Sequence, residues 1–342
     1  MTRFFAAFAF PALAVLALAC SDSGDDDSQQ PTGTDESTTT PILSEGASAF
    51  EGAIEWIAYQ AIAGRGEILR LVHPDGTEDH QIAAGAPGEH ETPDWSPDGK
   101  TIVFQTRNLE HEPLFVYDLA SDSFEQLFEC TDTCLGDDEP AFSPDGKTVM
   151  FMRAVGPLVN DIPTDCGLWV GDIETREITQ LTSNEQCNRE YDPRWSPDGT
   201  QITYSRADES TDPATGSVYV AMADGTGAVA LTEASLLAGG ADWSPNGEWI
   251  VYSTCFRGDL GDCGDSNLFR VHPDGTGVEQ LTGFTGEDRA RQARYSPDGE
   301  WIIFRKEGHN SASLQAIPAE GGDPVPVGGI SLPAHPDWQP AE

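Results

Sequence analysis

The chain has 342 residues, enough for one large domain that buries most of its apolar surface. It carries 18 basic and 58 acidic side chains, which give a formal net charge of −40 at pH 7. This charge argues against binding to nucleic acid or anionic lipid, because both are negatively charged themselves. We expect the acidic excess to serve solubility; a basic protein partner or bound divalent cations are the alternative explanations.

Residues 1–20 are predicted to be a targeting segment rather than part of the fold. Arg3 precedes an apolar run, Phe4 to Leu18, that is too short to span a membrane. The run ends in the sequence ALAC at 17–20, which resembles the lipobox of bacterial lipoproteins, with alanine where leucine is usual. The resemblance implies that Cys20 is lipidated, and Ser21 after it implies sorting to the outer membrane. An ordinary secretory signal is the alternative.

Residues 21–50 are rich in Asp, Ser, Thr, Gly, Gln and Pro and carry few apolar side chains. Such a segment cannot bury enough apolar surface to offset its ordering entropy. We therefore predict an acidic, disordered tether that holds a domain at 51–342 away from the membrane. The only membrane contact expected is through the lipid anchor.

One short motif recurs along the rest of the chain, built from an aromatic residue followed by Ser-Pro-Asp-Gly or a close variant. The copies are Pro93–Gly99, Pro140–Gly146, Pro193–Gly199, Ala241–Gly247 and Ala293–Gly299, with a partial copy at Pro336–Pro340. Successive motif aromatics are 43 to 53 residues apart. Repeats of this length are typical of propellers and solenoids.

Each motif copy predicts a strand, a tight turn and a second strand. Proline and aspartate suit the central turn positions, and glycine adopts the left-handed conformation that other residues resist. A run of alternating β-branched or aromatic residues follows each turn, as in Thr101 to Phe104. The repeated aspartate could be a ligand or a base, but Asn246 replaces it in one copy and keeps only the turn chemistry. We therefore interpret these acids as structural.

A second hairpin follows the first in every repeat, so the unit is four antiparallel strands and no stretch has a helical period. The pattern is clearest where Val72–Thr77 and Val271–Thr276 are identical in sequence. Six such units predict an all-β fold, a six-bladed β-propeller. The strand at Pro336–Pro340 is expected to join strands between residues 54 and 84 in one blade, which closes the ring through both chain ends.

The repeat resembles that of the TolB family, with WSPDGK at 95–100 and FSPDGK at 142–147 carrying the likeness. The resemblance covers about residues 52–340 and implies a periplasmic propeller that binds envelope proteins, such as a peptidoglycan-associated lipoprotein. This chain differs from TolB in having a tether in place of the preceding α/β domain. Propellers fused to peptidases share the repeat, but the nucleophile motif G-x-S-x-G is absent from the sequence.

Six cysteines remain after Cys20, an even number that suits an oxidising compartment. Proximity and topology favour three disulfides, all on the face opposite the Ser-Pro-Asp-Gly turns, although other pairings are possible. The predicted pairs are Cys130–Cys134, Cys166–Cys187 and Cys255–Cys263. A zinc site at Cys130 and Cys134 is a weaker alternative, because no second ligand pair lies nearby.

The residues directly before the motif aromatics are candidates for a charged ring at one mouth of the channel. They are Asp94, Ala141, Arg194, Asp242, Arg294 and Asp337. The ring is either a network of structural ion pairs or a binding site, in which case anionic or peptide ligands would meet the two arginines. Arg289 and Arg291 add positive charge nearby.

Asp259, Asp262 and Asp265 lie in a glycine-rich stretch where oxygen ligands could hold Ca²⁺. An exposed acidic loop is the alternative, and no other cofactor is expected. We predict a monomeric, non-enzymatic module that binds an envelope protein. The alternatives are a lyase- or lactonase-type propeller, whose site would leave no linear motif, and a module that binds a small ligand or a carbohydrate in the central channel.

Overall fold

Six four-stranded antiparallel sheets make up the described part of the chain. The computed structural model describes residues 56–64, 66–109, 111–130, 133–159, 162–183, 190–208, 214–255, 265–309, 311–328, 330 and 332–340. The inner strands of neighbouring sheets contact one another in sequence around a ring. The predicted six-bladed β-propeller is confirmed.

Every blade has four strands that follow one another from the inside of the ring outwards. Blades 1 and 2 contain β24 (Pro333–Trp338), β1 (Ile57–Ala63), β2 (Gly66–Val72) and β3 (His80–Gln81), then β4 (Glu89–Trp95), β5 (Thr101–Arg107), β6 (Leu114–Asp118) and β7 (Ser123–Gln126). Blades 3 and 4 contain β8 (Cys134–Phe142), β9 (Thr148–Val159), β10 (Ile162–Asp172) and β11 (Ile178–Gln180), then β12 (Glu190–Trp195), β13 (Gln201–Asp208), β14 (Thr215–Met222) and β15 (Val229–Ala230). Blades 5 and 6 contain β16 (Gly239–Trp243), β17 (Ile250–Ser253), β18 (Leu268–Val271) and β19 (Glu279–Gln280), then β20 (Arg289–Tyr295), β21 (Trp301–Gly308), β22 (Ser311–Pro318) and β23 (Val325–Pro326).

Blade 1 is assembled from both ends of the described chain, because β24 pairs with β1. Trp338 lies opposite Ile57, and Pro333 lies opposite Ala61. The closure predicted from the sequence is therefore correct, but β24 begins three residues before the partial motif at Pro336. The strand expected around residue 54 is described from Ile57 onwards. Among the described residues, helical structure is confined to one 3-10 turn, Ala234–Leu236, and no helix there could cross a membrane.

The motif aspartates hold the turns in shape. Ser96 Oγ donates a hydrogen bond to Asp98 Oδ1 at 2.7 Å, and the backbone amide of Lys100 donates to the same oxygen at 3.2 Å. In blade 5, Asn246 Oδ1 accepts the equivalent bond from Ser244 Oγ, also at 2.7 Å. The amide oxygen thus reproduces the function of the carboxylate, which agrees with the structural interpretation of these acids.

The turns also pack against one another around the ring. Each motif glycine has a positive φ, 69° at Gly146 and 74° at Gly299. A Cβ added to Gly146 would lie 3.5 Å from Pro97 of the preceding blade, and one on Gly299 would lie 3.4 Å from Pro245. A Cβ at either position would make only ordinary contact with the neighbouring proline, so glycine is favoured by the left-handed backbone.

The hydrophobic core lies between blades rather than at the centre of the ring. Between blades 1 and 2, for example, Ala58 and Leu69 pack against Trp95 and Phe104. Comparable clusters join the other neighbouring pairs. Each sheet therefore buries both faces, which explains why its second strand consists mainly of apolar residues.

Disulfides occur at the end of the blades that carries the hairpins between second and third strands, which we call the hairpin face. Cys130 is bonded to Cys134. That bond excludes the zinc alternative at this pair, since a zinc ligand must be a thiolate. Cys166 and Cys255 are also disulfide-bonded, to partners outside the described residues. Cys20, Cys187 and Cys263 lie outside the described residues, so the other two pairings and the lipidation stay predictions.

Candidate functional site

The inner strands, together with neighbouring strands at the third level, position three successive levels of polar side chains around the axis of the propeller. The first level, the charged ring, consists of the six residues directly before the motif aromatics. Five of them carry charges, and the structure brings these together: Arg194 Nη1 lies 3.7 Å from Asp94 Oδ1. Asp94 is 8% exposed and Arg294 is 3% exposed. The ring is therefore enclosed among the inner strands, not displayed at an open mouth.

The three aspartates of the charged ring tie each blade to the next. Trp95 donates its backbone N–H to Asp337 Oδ2 at 2.8 Å, and Phe142 donates to Asp94 Oδ2 at 2.7 Å. Tyr295 donates to Asp242 Oδ2 at 2.8 Å. These bonds join the inner strands of blades 1 and 2, 2 and 3, and 5 and 6. The geometry therefore gives the aspartates a role in assembly of the ring.

Burial and crowding perturb the titration of these groups. Burial, followed by the charge of Asp94, raises the pKa of Asp337 to about 8. Burial also raises the pKa values of Asp94 and Asp242, although the charges of Arg194 and Arg294 oppose this. The pKa of Arg294 is lowered by burial and then by the charge of Arg194. The ring is therefore held close to electrical balance.

The second level, the bulge ring, was not anticipated from the sequence. It consists of the residues three positions before each motif aromatic, all with φ between 45° and 65°: Thr92, Glu139, Asp192, Gly240, Gln292 and His335. The register shifts there in every inner strand, as expected for β-bulges. A non-glycine residue at positive φ is strained unless its surroundings hold it. The sequence feature that marks these bulges is their fixed position, three residues before each motif aromatic.

Side chains of the bulge ring again link neighbouring blades. Gln292 Oε1 accepts a hydrogen bond from the backbone N–H of His335 at 2.9 Å, and Glu139 accepts one from the backbone N–H of Asp192. Burial, then the positive charges of Arg294 and Arg305, holds the pKa of His335 well below its usual range. His335 is therefore neutral, and the arginines around it disfavour a bound cation.

The third level lies nearest the hairpin face and is acidic on the side of blades 1 to 3. Glu67, Glu89 and Glu91 bring carboxylate oxygens within 4.8 Å of one another. Arg107 lies between Glu91, 2.6 Å away, and Asp138, 3.6 Å away. The pKa of Glu91 is raised to about 9, by burial and then by a hydrogen bond to Glu67. Glu91 therefore holds a proton at neutral pH.

The same level is basic on the side of blade 6. Arg291 and Arg305 both approach Glu307, at 3.4 and 3.2 Å. Burial lowers the pKa of Arg305. Acidic and basic groups thus occupy different sides of the hairpin-face mouth. Of these residues, sequence reasoning identified only Arg291, because the others are separated along the chain and converge only through the ring.

Two exposed apolar side chains border this mouth. Ile62 is 50% exposed and Leu332 is 45% exposed. Ile62 directly follows Ala61, and Leu332 directly precedes Pro333. Ala61 and Pro333 are paired across the two innermost strands of blade 1. The hairpin face therefore places this exposed apolar surface beside charged groups that are themselves largely buried, since Glu91 is 9% exposed and Arg291 is 4% exposed.

The predicted calcium ligands are only partly covered by the described residues. Asp265 is exposed, and its Oδ1 accepts a hydrogen bond from the backbone N–H of Gly286 at 3.1 Å. Asp259 and Asp262 lie outside the described residues. Calcium binding at this stretch therefore stays a prediction.

Comparison with known proteins supports the fold assignment. No protein-family model matches the chain. An uncharacterised protein of Agrobacterium fabrum is 24% identical over 229 residues, which is 67% of this chain and 69% of that protein. TolB from Acinetobacter baumannii superposes with a TM-score of 0.64 at 18% identity, over 84% of this chain and 67% of the other. A TolB-type protein of Agrobacterium tumefaciens gives 0.58 at 22% identity, over 81% and 89%.

The propeller is TolB-like. An oligogalacturonate lyase of Vibrio parahaemolyticus has a similar fold, with a TM-score of 0.54 at 14% identity over 80% of this chain and 74% of the lyase. At these identities the likeness establishes the architecture alone. The TolB-like blades are common to binding proteins and enzymes, so function must be inferred from the surface of this chain.

Proposed function

We propose that this chain is a cell-envelope lipoprotein whose TolB-like propeller binds another protein at the hairpin-face mouth. The observation that carries the proposal is the exposed pair Ile62 and Leu332 beside the divided charges of the third level. Apolar contact supplies affinity, and charges of both signs select orientation and partner. The TolB-like fold and the role that the sequence resemblance implies support the same function.

The charged ring is a weaker candidate for the contact surface. Its aspartates already bond to backbone N–H groups of neighbouring blades. A partner at this ring would have to displace those bonds, which stabilise the closed ring. The hairpin-face mouth requires no such displacement, because Ile62 and Leu332 are exposed.

Capture of a partner by the purified domain tests the proposal. We expect Ile62→Glu with Leu332→Glu to abolish recovery of an envelope protein that the unmodified domain recovers. The matched control is Val229→Glu with Val278→Glu, which changes two exposed side chains, 63% and 56% exposed, at the outer strands of blades 4 and 5. Equal recovery by both double variants would refute the mouth as the contact surface.

Attachment through Cys20 is a separate part of the proposal and has its own test. We expect Cys20→Ser to release the protein from the membrane fraction and to abolish incorporation of labelled fatty acid. The acidic segment at 21–50 would then remain with the released domain. Unchanged fractionation and labelling would contradict lipid anchoring without affecting the binding proposal.

Binding of a small anionic ligand in the channel is the second candidate function. It is favoured by Arg194 Nε and Arg294 Nε of the charged ring, donors that are buried and lack a hydrogen-bond partner among the described residues. Buried polar atoms normally bond to protein, water or ligand. Here we expect oligogalacturonate, but not a neutral oligosaccharide of the same length, to raise the melting temperature. Equal melting temperatures with both would remove this candidate.

A further inference from the structure

A groove of about 790 Å³ opens between blades 2 and 3, on the side of the turns and far from the hairpin-face mouth. Thr101 and Val116 of blade 2 line it, together with Phe142 and Ile173 of blade 3. Carboxylates of Asp98, Asp118, Glu125 and Asp145 stand around this apolar floor. The groove therefore offers an apolar base with a rim of carboxylates, of which Asp98 and Asp145 each lie near an exposed lysine, Lys100 at 3.6 Å and Lys147 at 3.5 Å.

The corresponding interface between blades 5 and 6 shows what fills this position elsewhere in the molecule. Trp249 occupies the place of Thr101, five residues after the motif serine. Arg270 occupies the place of Val116, because Val251, Arg270 and Glu279 pair across blade 5 as Val103, Val116 and Glu125 pair across blade 2. Two large side chains of blade 5 are thus replaced by two small ones in blade 2.

Arg270 is bound in a specific way at the blade 5–6 interface. Its guanidinium lies 4.2 Å from the ring centre of Trp249 and bonds Glu279 Oε2 at 2.8 Å. It also donates to the backbone oxygen of Ala319 at 3.0 Å and to Glu320 Oε2 at 2.8 Å. Acceptors and apolar surface together hold one cationic side chain against the next blade.

Blade 2 retains the acidic part of this arrangement but has Val116, not a cationic side chain, in the place of Arg270. Glu125 stands where Glu279 does, and Arg176 of blade 3 reaches its Oε1 at 2.5 Å from the outer end of the groove. Ile173 corresponds to Ala319, since both donate their backbone N–H to the residue after the motif glycine. An arginine entering the groove from outside would therefore meet acceptors like those around Arg270.

The carboxylates of the rim are fixed in orientation. Asp118 Oδ1 accepts bonds from the backbone N–H and the hydroxyl of Ser121, at 2.8 and 2.6 Å. Serine hydroxyls hold Asp98 and Asp145 in the same manner, each at 2.7 Å. These bonds lower the pKa values of all three, so the rim stays ionised at neutral pH.

We propose that the blade 2–3 groove binds an arginine-bearing segment of another protein, with the guanidinium among the rim carboxylates and its stem on the apolar floor. The acidic residues 21–50 of this chain contain no Lys or Arg and would be repelled. A second copy is opposed by its own net charge of −40. Arginine is preferred to lysine, because its planar group bonds carboxylates in pairs and stacks on aromatic rings.

Fluorescence anisotropy with the labelled peptide Gly-Arg-Val-Arg-Val-Arg-Gly tests the proposal. Matched peptides carry Lys or Glu in place of each Arg. We expect the Arg peptide to bind severalfold more tightly than the Lys peptide and to weaken with added salt. The Glu peptide is expected not to bind. These synthetic probes make the outcome independent of the partner proposed for the hairpin-face mouth.

Two sets of variants locate the binding. Asp98→Asn with Asp145→Asn removes two rim charges and keeps the turns, as Asn246 does naturally. We expect roughly tenfold weaker binding of the Arg peptide. The control, Asp198→Asn with Asp298→Asn, removes the same charge from the turns of blades 4 and 6 and should bind like the unmodified protein. Equal affinities for the two double variants would overturn the proposal.

Filling the groove gives a second, independent test. Thr101→Trp with Val116→Arg reproduces the side chains of blade 5 in blade 2, and we expect it to abolish binding of the Arg peptide. Circular dichroism reports whether this variant folds. Undiminished binding by the folded variant would contradict the proposal. If this variant does not fold, the two aspartate-to-asparagine double variants provide the test.

Discussion

The interfaces between blades 5 and 6 and between blades 2 and 3 have the same backbone arrangement but different contents. At the first, Trp249 and Arg270 fill the space above the core and bind the next blade. At the second, Thr101 and Val116 leave a groove rimmed by carboxylates. One repeat unit thus supports two surfaces, and the difference lies in two side chains. In a repeat protein, departures from the shared pattern are where specific binding is best sought.

The comparison assumes that all six blade interfaces belong to one closed ring. Removal of residues 335–342 tests this assumption and should have the largest effect on stability. The truncation deletes most of β24, including the buried Trp338, and exposes the edge of β1. We expect the free energy of unfolding to fall by about 5 kcal/mol or more. Thermal unfolding should show a decrease on the order of 10 °C.

Removal of residues 341–342 alone is the control and should leave the melting temperature unchanged. If the longer truncation also melts with the unmodified protein, pairing of the chain ends does not close the ring.

Opening the blade 5–6 interface should cause the next largest loss in the free energy of unfolding. Trp249→Thr with Arg270→Val removes a stacked pair, one hydrogen bond within blade 5 and two hydrogen bonds across the interface. We expect a loss of about 3 kcal/mol, because a half-buried aromatic leaves part of its space unfilled. Denaturant titration with an unchanged m-value would confirm it.

Trimming the same positions of blade 2, Thr101→Ser with Val116→Ala, is the matched control. These residues line an open groove, so a loss below about 1 kcal/mol is expected. Equal losses in blades 2 and 5 would mean that the two interfaces are not different in packing.

The charged ring contributes to both interfaces. Its effect on stability can be measured separately, because Asp337 makes that effect depend on pH. Asp337 has a pKa raised to about 8, so the folded state holds a proton that the unfolded chain has lost above about pH 4. Stability should therefore fall as pH rises from 5 to 8, by at most about 1.4 kcal/mol per pH unit from this group.

Asp337→Asn is expected to remove this contribution while still accepting the bond from Trp95. The measurement is the difference in unfolding free energy between variant and unmodified protein at pH 5, 6.5 and 8. A difference that does not change with pH would show that Asp337 is ionised throughout.

Removing the charge of one turn aspartate should have the smallest effect on the free energy of unfolding. Asp98→Asn should change the free energy of unfolding by less than about 0.5 kcal/mol, because Asn246 makes the equivalent bonds in blade 5. Differential scanning calorimetry of Asp98→Asn beside Asp98→Ala would check it. A large loss in the asparagine variant would mean that the charge itself stabilises the turn.

The blades could be predicted from the sequence because their signals are local. Trp95 and the following Ser-Pro-Asp-Gly specify a strand and a turn through residues adjacent in the chain. Closure followed from counting strands, since one blade lacked its inner strand and the last motif lacked its outer ones.

The candidate sites could not be predicted in the same way. Glu67 and Glu91 meet only because blades 1 and 2 are neighbours, and Ile62 and Leu332 are separated by almost the whole propeller. The bulge at His335 depends on a backbone conformation that propensity alone does not indicate. The groove depends on Thr101 being small beside the next blade, which becomes visible only when the blades are superposed.

The stoichiometry of Arg-peptide binding tests the central claim that two side chains decide whether an interface is filled or open. Isothermal titration of the folded proteins should give one site for the unmodified chain and none for Thr101→Trp with Val116→Arg. It should give two sites for Trp249→Thr with Arg270→Val, because Glu279 and Glu320 remain to bind the guest. The same number of sites in all three proteins would contradict the claim.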